Sequence, residues 1–313
     1  MAQQPSAPIC WGAGVIDVSS PRTINRILER RGALDAGRRV RRPPPPPGWY
    51  LADLSQRRVE LDSFDIVEGL TIGRTPATPR LDIDVLNGIS LHGGLPGSWP
   101  AVCVTAKFTA HCLIAHWRTL GLPRYAQFDN GNVFQGPHQW PDTFGRITRL
   151  CLGLGLVPVF APPREMGFQA AIENFNGRWQ AKVWARFRFD SLAGVVAQSD
   201  RFISAARQRS ALRIESAPAR DSFPQGRWSL SECLQKPLAG KVVFLRRSNS
   251  QGQISVLGRL FEVDQAWPGR LVRADVELNA GRIRFYALRR REPSRHRLLS
   301  SIAYKPPIRA FED

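Results

Sequence analysis

The chain has 313 residues, 43% of them hydrophobic and nine of them Trp, so it is long enough for two or three domains with real cores. No segment reaches the ~18 apolar residues of a membrane span, and the first twenty residues lack the pattern of a signal peptide. The five cysteines show no CxxC spacing, which excludes a zinc ribbon and a disulfide framework and favours reduced thiols. These features predict a cytoplasmic protein without membrane association.

The net charge of +18 and the pI near 11 predict a polyanionic partner. Residues 1–48 carry eight Arg against three acids (+5), and residues 236–313 carry sixteen Lys and Arg against seven acids (+9). The 187 residues between them therefore carry only +4. This distribution favours a nearly neutral catalytic or scaffold core with two nucleic-acid-binding arms. The alternative is a chain in which Arg simply replaces Lys on solvated faces.

The N-terminal arm is irregular to residue 19 and then shows one helix. Ser20-Pro21 provides an N-cap followed by Pro at the first helical position, and Gly32 provides a stop. Arg22 and Arg26 lie opposite an apolar stripe and are predicted to contact DNA. The alternative is a solvated surface helix. Residues 37–47 follow as a basic linker that ends in five Pro.

The region 49–190 alternates between strand and helix signals. Strands are predicted at 58–72, at 81–91 and around the Gly-Gly pair that follows, and also at 125–128 and 156–160; helices are predicted at 100–120, 142–153 and 169–189. Three antiparallel strands followed by alternating helices and strands predict a layered α/β domain of ribonuclease-H-like architecture. Trp179 and Trp184 are expected to pack the last helix onto the sheet, although stacking on DNA remains an alternative.

The C-terminal third has weaker signals. Residues 191–239 show no convincing core pattern and are predicted to be helix plus linker. Five short β-prone runs within 240–291, broken by turn residues, predict a small all-β barrel. Residues 292–313 are predicted to be a loose basic tail.

Two acidic residues stand in settings that suit chemistry. Asp129 ends a short apolar run and is followed by Asn-Gly, which places it at the mouth of a strand. Glu173 lies early on the helix predicted at 169–189. Carboxylates at a strand end and on a helix can share hard cations such as Mg²⁺, which prefer oxygen ligands. Each residue alone is more often a turn residue or an ordinary helical Glu.

The region 58–190 resembles the catalytic core of retroviral integrases and bacterial insertion-sequence transposases, the Asp-Asp-Glu recombinases. The resemblance rests on Leu61-Asp62 with Glu68-Gly69 downstream, on Phe128-Asp129-Asn130-Gly131, and on Gln169 and Asn176 flanking Glu173. It implies that Asp62, Asp129 and Glu173 hold two Mg²⁺ ions, which Mn²⁺ can replace, with Asp65 as the alternative to Asp62. It also implies that Gln169 and Asn176 line the DNA face. The separation of 44 positions between Asp129 and Glu173 is longer than in many members.

The same resemblance extends to the flanks. Residues 240–288 look like the Src-homology-3-like barrel that follows such cores, and the N-terminal helix resembles the end of a helix-turn-helix region. Arg178 and Lys182, on the exposed helix face, are further candidates for phosphate contact, or else part of a solvated face. His111, Cys112 and His116 share one apolar helix without a matching second pair, so they are predicted to serve packing or surface roles rather than to bind a metal.

The function implied is that of a transposase or integrase. Such an enzyme performs metal-dependent DNA cleavage and strand transfer, binds transposon ends and target DNA as a homo-oligomer, and associates with the nucleoid. Two alternatives are a truncated, catalytically silent DNA-binding remnant and a nuclease of the same fold that cuts without joining.

Overall fold

The computed structural model describes residues 20–33, 44–73, 79–137, 140–307 and 311. The chain divides into two compact units, Met1–Pro44 and Pro45–Asp313. The division lies close to the predicted start of the core at Trp49. Most of the predicted basic linker lies outside the described residues.

In the first unit, helix α1 spans Pro21–Arg30 and begins as predicted. The Ser20 hydroxyl accepts a hydrogen bond from the backbone N–H of Thr23 at 3.3 Å, and Pro21 occupies the first turn. Gly32 follows the helix with a φ of 64°, a backbone conformation that favours glycine. Ile27 on the apolar stripe is 45% exposed. The helix is present, but a helix-turn-helix unit is not confirmed.

The second unit contains both helices and strands. Its helices are α2 (Ala52–Ser55), α3 (Ala106–Leu120), α4 (Asn132–Gln135), α5 (Arg146–Gly153), α6 (Ala170–Trp179), α7 (Leu192–Arg209), α8 (Ala211–Glu215) and α9 (Leu230–Gln235), and a π-helical segment spans Gln180–Trp184. Its strands are β1 (Leu61–Ile72), β2 (Leu81–Ser90), β3 (Pro96–Ala101), β4 (Tyr125–Phe128), β5 (Val157–Phe160), β6 (Lys241–Arg247), β7 (Gln253–Val256), β8 (Arg259–Glu262), β9 (Leu271–Glu277), β10 (Arg282–Ala287) and β11 (Leu298–Ala303).

Nine of the described strands form one mixed sheet in the order β11-β10-β9-β6-β5-β4-β1-β2-β3. Strands β1, β4, β5 and β6 are mutually parallel, and β2 and β3 extend the sheet in antiparallel fashion from β1. The predicted mixed α/β sheet is therefore confirmed. Its order β3-β2-β1-β4-β5, with helices between the parallel strands, is consistent with the expected ribonuclease-H-like core.

A row of phenylalanines crosses the parallel strands on one face of the sheet. The ring centroids of Phe64 and Phe128 are 5.7 Å apart, those of Phe128 and Phe160 are 6.2 Å apart, and those of Phe160 and Phe244 are 5.0 Å apart. All four side chains are fully buried, and such aromatic pairs contribute about 0.5–1.5 kcal/mol beyond their buried area. The row runs from β1 into β6, so one core connects the central strands to the C-terminal strands.

The predicted separate barrel at 240–291 is not confirmed. The short strands occur close to their predicted positions, but β6 pairs in parallel with β5, and β9, β10 and β11 continue the same sheet. Only β7 and β8 form a separate two-stranded sheet among the described strands. The physical reason lies in β6, where Val242 to Arg246 are all buried. A strand buried on both faces lies inside a covered sheet.

Two further regions are more ordered than predicted. The stretch 191–239, predicted to be helix plus linker, contains α7, α8 and α9. Its Arg213 donates hydrogen bonds to the backbone carbonyls of Leu91 and His92 at 2.6 Å each. The expected loose tail contains β11, which pairs with β10. No helix in the described part of the chain is long and apolar enough to cross a membrane.

Candidate active site

Three acidic residues, Asp65, Asp129 and Glu173, lie near one another beside the C-terminal end of β4. Strands β1 and β4 pair at Ser63 and Gln127, so Asp65 and Asp129 each lie two residues further along neighbouring strands. Glu173 lies in the first turn of α6, which packs across β1 and β2. Burial raises the pKa of Asp65 to about 6, with the charge of Asp129 as the next cause and the charge of Glu173 as a smaller one. The cluster therefore holds negative charge that the protein leaves uncompensated.

The sequence prediction of Asp62 as the first acid is not supported by its position. Asp62 is 1% exposed, and its Oδ2 accepts hydrogen bonds at 3.1 Å from Trp117 Nε1 and from Arg220 Nη1. Arg220 Nη2 forms an ion pair with its other oxygen. Successive side chains of a strand point to opposite faces, so Asp62 lies under α3 while Asp65 faces α6. The alternative, Asp65, is the acid that joins Asp129 and Glu173.

The charge at Asp62 is matched by its neighbours. His116 Nε2 lies 3.9 Å from Asp62 Oδ2, but burial lowers the pKa of His116 to about 4, and the charges of Arg220 and Arg207 lower it further while Asp62 opposes them. The imidazole is therefore neutral near pH 7, and Arg220 is the countercharge of Asp62. The predicted packing role of His116 agrees with this burial.

An amide pair holds Asp65. Asn176 Nδ2 donates a hydrogen bond of 2.7 Å to Asp65 Oδ2, and Asn176 Oδ1 accepts one of 2.9 Å from Asn87 Nδ2. Asn176 is mostly buried and Asn87 fully buried. Asn176 therefore links Asp65 to Asn87 in this structure, and its DNA contact stays a prediction. Sequence reasoning missed Asn87, whose only local signal is a polar residue inside the apolar run 81–91.

A tight turn fixes Asp129. The backbone N–H of Gly131 donates to Asp129 Oδ1 at 2.8 Å, which is the local bond that Asp makes in such turns. A Cβ on Gly131 would lie 3.1 Å from the same oxygen, so glycine permits this close approach. Asn130 Nδ2 donates to the carbonyl of Ala161 at 2.6 Å. That bond ties the turn to the end of β5.

The remaining predicted residues lie on or beside α6. Gln169 is the N-cap residue, and its Nε2 is buried without a hydrogen-bond partner among the described residues. Arg178 and Lys182 are exposed, as are Arg22 and Arg26 on α1. Trp179 is fully buried and stacks with Trp184 at a centroid distance of 6.5 Å. The packing role predicted for Trp179 agrees with this burial.

The donor set can be tested against the expected Mg²⁺. Within the described part of the chain, no three His, Cys, Asp or Glu side chains converge closely enough to hold a metal ion by themselves. Mg²⁺ commonly takes one or two carboxylates and completes its shell with water and substrate phosphates. Asp65 and Asp129, with Glu173 further out, fit an ion of that kind. None of the three makes an ion pair with a described basic side chain.

Comparisons place this geometry beside known proteins. No family model and no curated protein matches the chain. It is similar to a solved intasome of simian T-cell lymphotropic virus in complex with a PP2A regulatory subunit, at 13% identity over 72% of this chain and 71% of that chain, with a TM-score of 0.37. It is also similar to the catalytic core domain of BIV integrase, at 17% identity over 44% of this chain and 80% of that chain, with a TM-score of 0.33. Identities and TM-scores this low carry no argument about function, so the site is interpreted from this chain's own residues.

Proposed function

We propose that the protein is a polynucleotidyl transferase, a transposase or integrase that cleaves DNA and joins its strands with the help of Mg²⁺. The observation that carries this proposal is the cluster of Asp65, Asp129 and Glu173, none of which forms an ion pair with a described basic side chain. Burial, followed by the charge of Asp129 and then that of Glu173, raises the pKa of Asp65 to about 6. A cluster of carboxylates without basic partners is stabilised by a divalent cation.

Each residue of the cluster has a defined task in this proposal. Asp65 and Asp129 would hold the ions, with Glu173 as a further carboxylate ligand. The Asn176 amide donates to Asp65 Oδ2 and so orients this carboxylate. When bound, the ions polarise the scissile phosphate and stabilise the attacking and leaving oxygens. Asp62 maintains the fold beneath β1 and does not take part in the chemistry.

DNA and a second copy of the chain are the proposed partners, and the exposed Arg178 and Lys182 beside Glu173 are proposed phosphate contacts. Gln169, whose buried Nε2 has no hydrogen-bond partner within the described ranges, is proposed to donate to the substrate or to a water molecule in the complex. The nucleoid is the corresponding proposed location.

The test is a strand-transfer assay with Mg²⁺ or Mn²⁺ on DNA ends taken from the flanks of the gene. Asp65→Asn, Asp129→Asn and Glu173→Gln are each expected to lower joining at least about 1,000-fold, because each removes an oxyanion ligand. Glu68→Gln is the matched control, since Glu68 is exposed on the same strand as Asp65, and it should keep full activity.

The outcomes separate the candidate functions. Normal joining by the Asp65→Asn protein would overturn the site. Cleavage without joining by the unaltered protein indicates a nuclease, and DNA binding without either reaction indicates the silent remnant.

A further inference from the structure

A cavity of about 220 Å³ lies at the ends of the C-terminal strands, far along the sheet from the carboxylates. It is bordered by the segment before β9, the end of β10 and the start of β11. The lining residues that matter here are Trp267, Arg270, Arg289, Arg295 and Arg297. Four guanidinium groups therefore surround one small cavity.

An indole organises three of the four arginines. The Cζ atoms of Arg270, Arg289 and Arg297 lie 4.7, 5.0 and 5.8 Å from the centroid of the Trp267 ring. Trp267 itself is 3% exposed and donates from Nε1 to the carbonyl of Leu271 at 3.1 Å. A guanidinium that rests on an aromatic face keeps the N–H donors in its own plane available. The indole thus holds the three guanidinium groups in place and takes up none of their N–H donors.

The acidic residues nearby compensate only half of this charge. Glu292 pairs with Arg289 at 3.3 Å and with Arg295 at 3.7 Å, and Asp264 pairs with Arg297 at 3.4 Å. Four positive and two negative side chains leave a local charge of +2. Among the described residues, the Arg270 guanidinium has neither an ion pair nor a hydrogen bond, so its five donors face the cavity region or solvent.

The cavity shares an edge of the sheet with the carboxylates. Phe128 pairs with Phe160, Phe160 pairs with Phe244, and Arg247 at the end of β6 pairs with Leu271 at the start of β9. The end of β4 and the start of β9 therefore lie on the same edge, three strands apart. At about 4.8 Å per strand, the separation is roughly 15–20 Å. A DNA strand, which carries one phosphate per 3.4 Å of duplex axis, covers this distance in about five base pairs.

We propose that this cavity binds a backbone phosphate of a nucleic acid through the Arg270 and Arg289 guanidiniums. The ligand chemistry is a phosphate ester, whose oxygens match the paired donors of arginine. A nucleic acid carries regularly spaced phosphates and can therefore reach both the carboxylates and the cavity on this edge of the sheet. A free nucleotide suits this arrangement less well. The choice of a nucleic acid over a free nucleotide rests on the proposed function, whereas binding of a phosphate at the cavity does not itself require the carboxylates.

The test measures binding of a fluorescein-labelled 20-base-pair duplex by anisotropy, with EDTA present so that no chemistry occurs. The double variant R270Q/R289Q is expected to weaken binding about tenfold near physiological salt. It should also lower the slope of log affinity against log salt by about one to two. R282Q/R284Q removes the same charge from β10, at the end away from the cavity, where both arginines pair with Glu277. It should change affinity less than about threefold.

Two additions make the result decisive. Arg270→Gln alone removes a guanidinium without a hydrogen bond, so it should fold normally and weaken binding about threefold even if the double variant does not fold. Adenosine monophosphate at millimolar concentration should not displace the duplex. Equal losses in both double variants would overturn the proposal, and so would adenosine monophosphate binding that depends on Arg270 while duplex binding does not.

Discussion

Asp62 and Asp65 lie three residues apart on one strand, yet they occupy opposite electrostatic environments. Asp62 lies below the sheet with an arginine and an indole N–H on its carboxylate. Asp65 lies above the sheet, where its neighbours are two further carboxylates and the Asn176 amide. The charge of Asp62 is matched by Arg220 inside the fold, whereas Asp65 has no ion pair with a described basic side chain.

The difference shows how one strand can carry both a residue that stabilises the fold and a residue of the candidate site. Because β1 is covered on both faces, each acid meets a different layer of the protein. A matched charge rigidifies the fold, whereas an unmatched one weakens the fold and creates affinity for a cation. The two acids should therefore respond in opposite ways to neutralisation.

The largest effect is expected when Asp62 loses its partner. Arg220→Ala leaves a buried carboxylate without a countercharge and should lower the free energy of unfolding by about 3–5 kcal/mol. Urea unfolding at pH 7.5 measures this. Arg282→Ala breaks an exposed pair with Glu277 and should change stability by less than about 1 kcal/mol. Similar small losses in both variants would mean that Asp62 is not electrostatically matched by Arg220.

A smaller effect is expected from His116 as the pH falls. The pKa of His116 in the folded chain, about 4, lies below the ordinary value of 6.5. Between these pH values the unfolded chain therefore binds a proton at His116 and the folded chain does not. The contribution of His116 to the free energy of unfolding is complete above pH 6.5. It is lost as the pH falls toward 4, at up to about 1.4 kcal/mol per pH unit.

Thermal unfolding between pH 7.5 and 4 should therefore be less steeply pH-dependent for His116→Gln than for the unaltered protein. Asp65 is present in both proteins and does not affect the comparison. Identical pH dependences would show that the pKa of His116 is the same in the folded and the unfolded chain.

The smallest effect is expected from Asp65→Asn, and its sign is opposite to that of Arg220→Ala. The folded pKa of Asp65, about 6, lies above the ordinary value of 3.8, so Asp65 favours the folded state below pH 3.8 and loses that contribution as the pH rises through 6. At pH 7.5 the variant should be more stable by about 1–2 kcal/mol, allowing for partial solvent screening. The gain should vanish near pH 4.

The same measurement can include Mg²⁺, which should raise the unfolding temperature of the unaltered protein but not that of Asp65→Asn. Glu68→Gln, on the same strand but exposed, should respond to the ion as the unaltered protein does. Destabilisation by Asp65→Asn at pH 7.5 would contradict an uncompensated charge at this position.

Local patterns predicted most of the individual elements. Tyr125–Phe128 and Gln253–Val256 are observed within the bounds expected from apolar runs between turn residues. The pairing of β6 with β5 could not be predicted in this way, because it joins strands about eighty residues apart in the chain. A short β-prone run has the same local signature in a barrel as in an extended sheet.

The site was harder to predict than the strands. Residues 61–64 are all buried, so alternation of apolar and polar residues gave no signal for which face Asp62 or Asp65 occupies. Arg220, which resolves the question, lies in a stretch without core periodicity. Asp129 had a local signal in its Asn-Gly turn, and the structure places it beside Asp65.

The continuous phenylalanine row also determines where the protein can be divided. A fragment that ends before residue 240 would leave β5 as a bare sheet edge, with Phe160 no longer covered by Phe244. Unpaired edge strands with exposed aromatic side chains recruit other strands and aggregate. The smallest fragment that stays soluble is therefore expected to run from about residue 45 through β11, and shortening it to residues 49–190 would expose the centre of its own sheet.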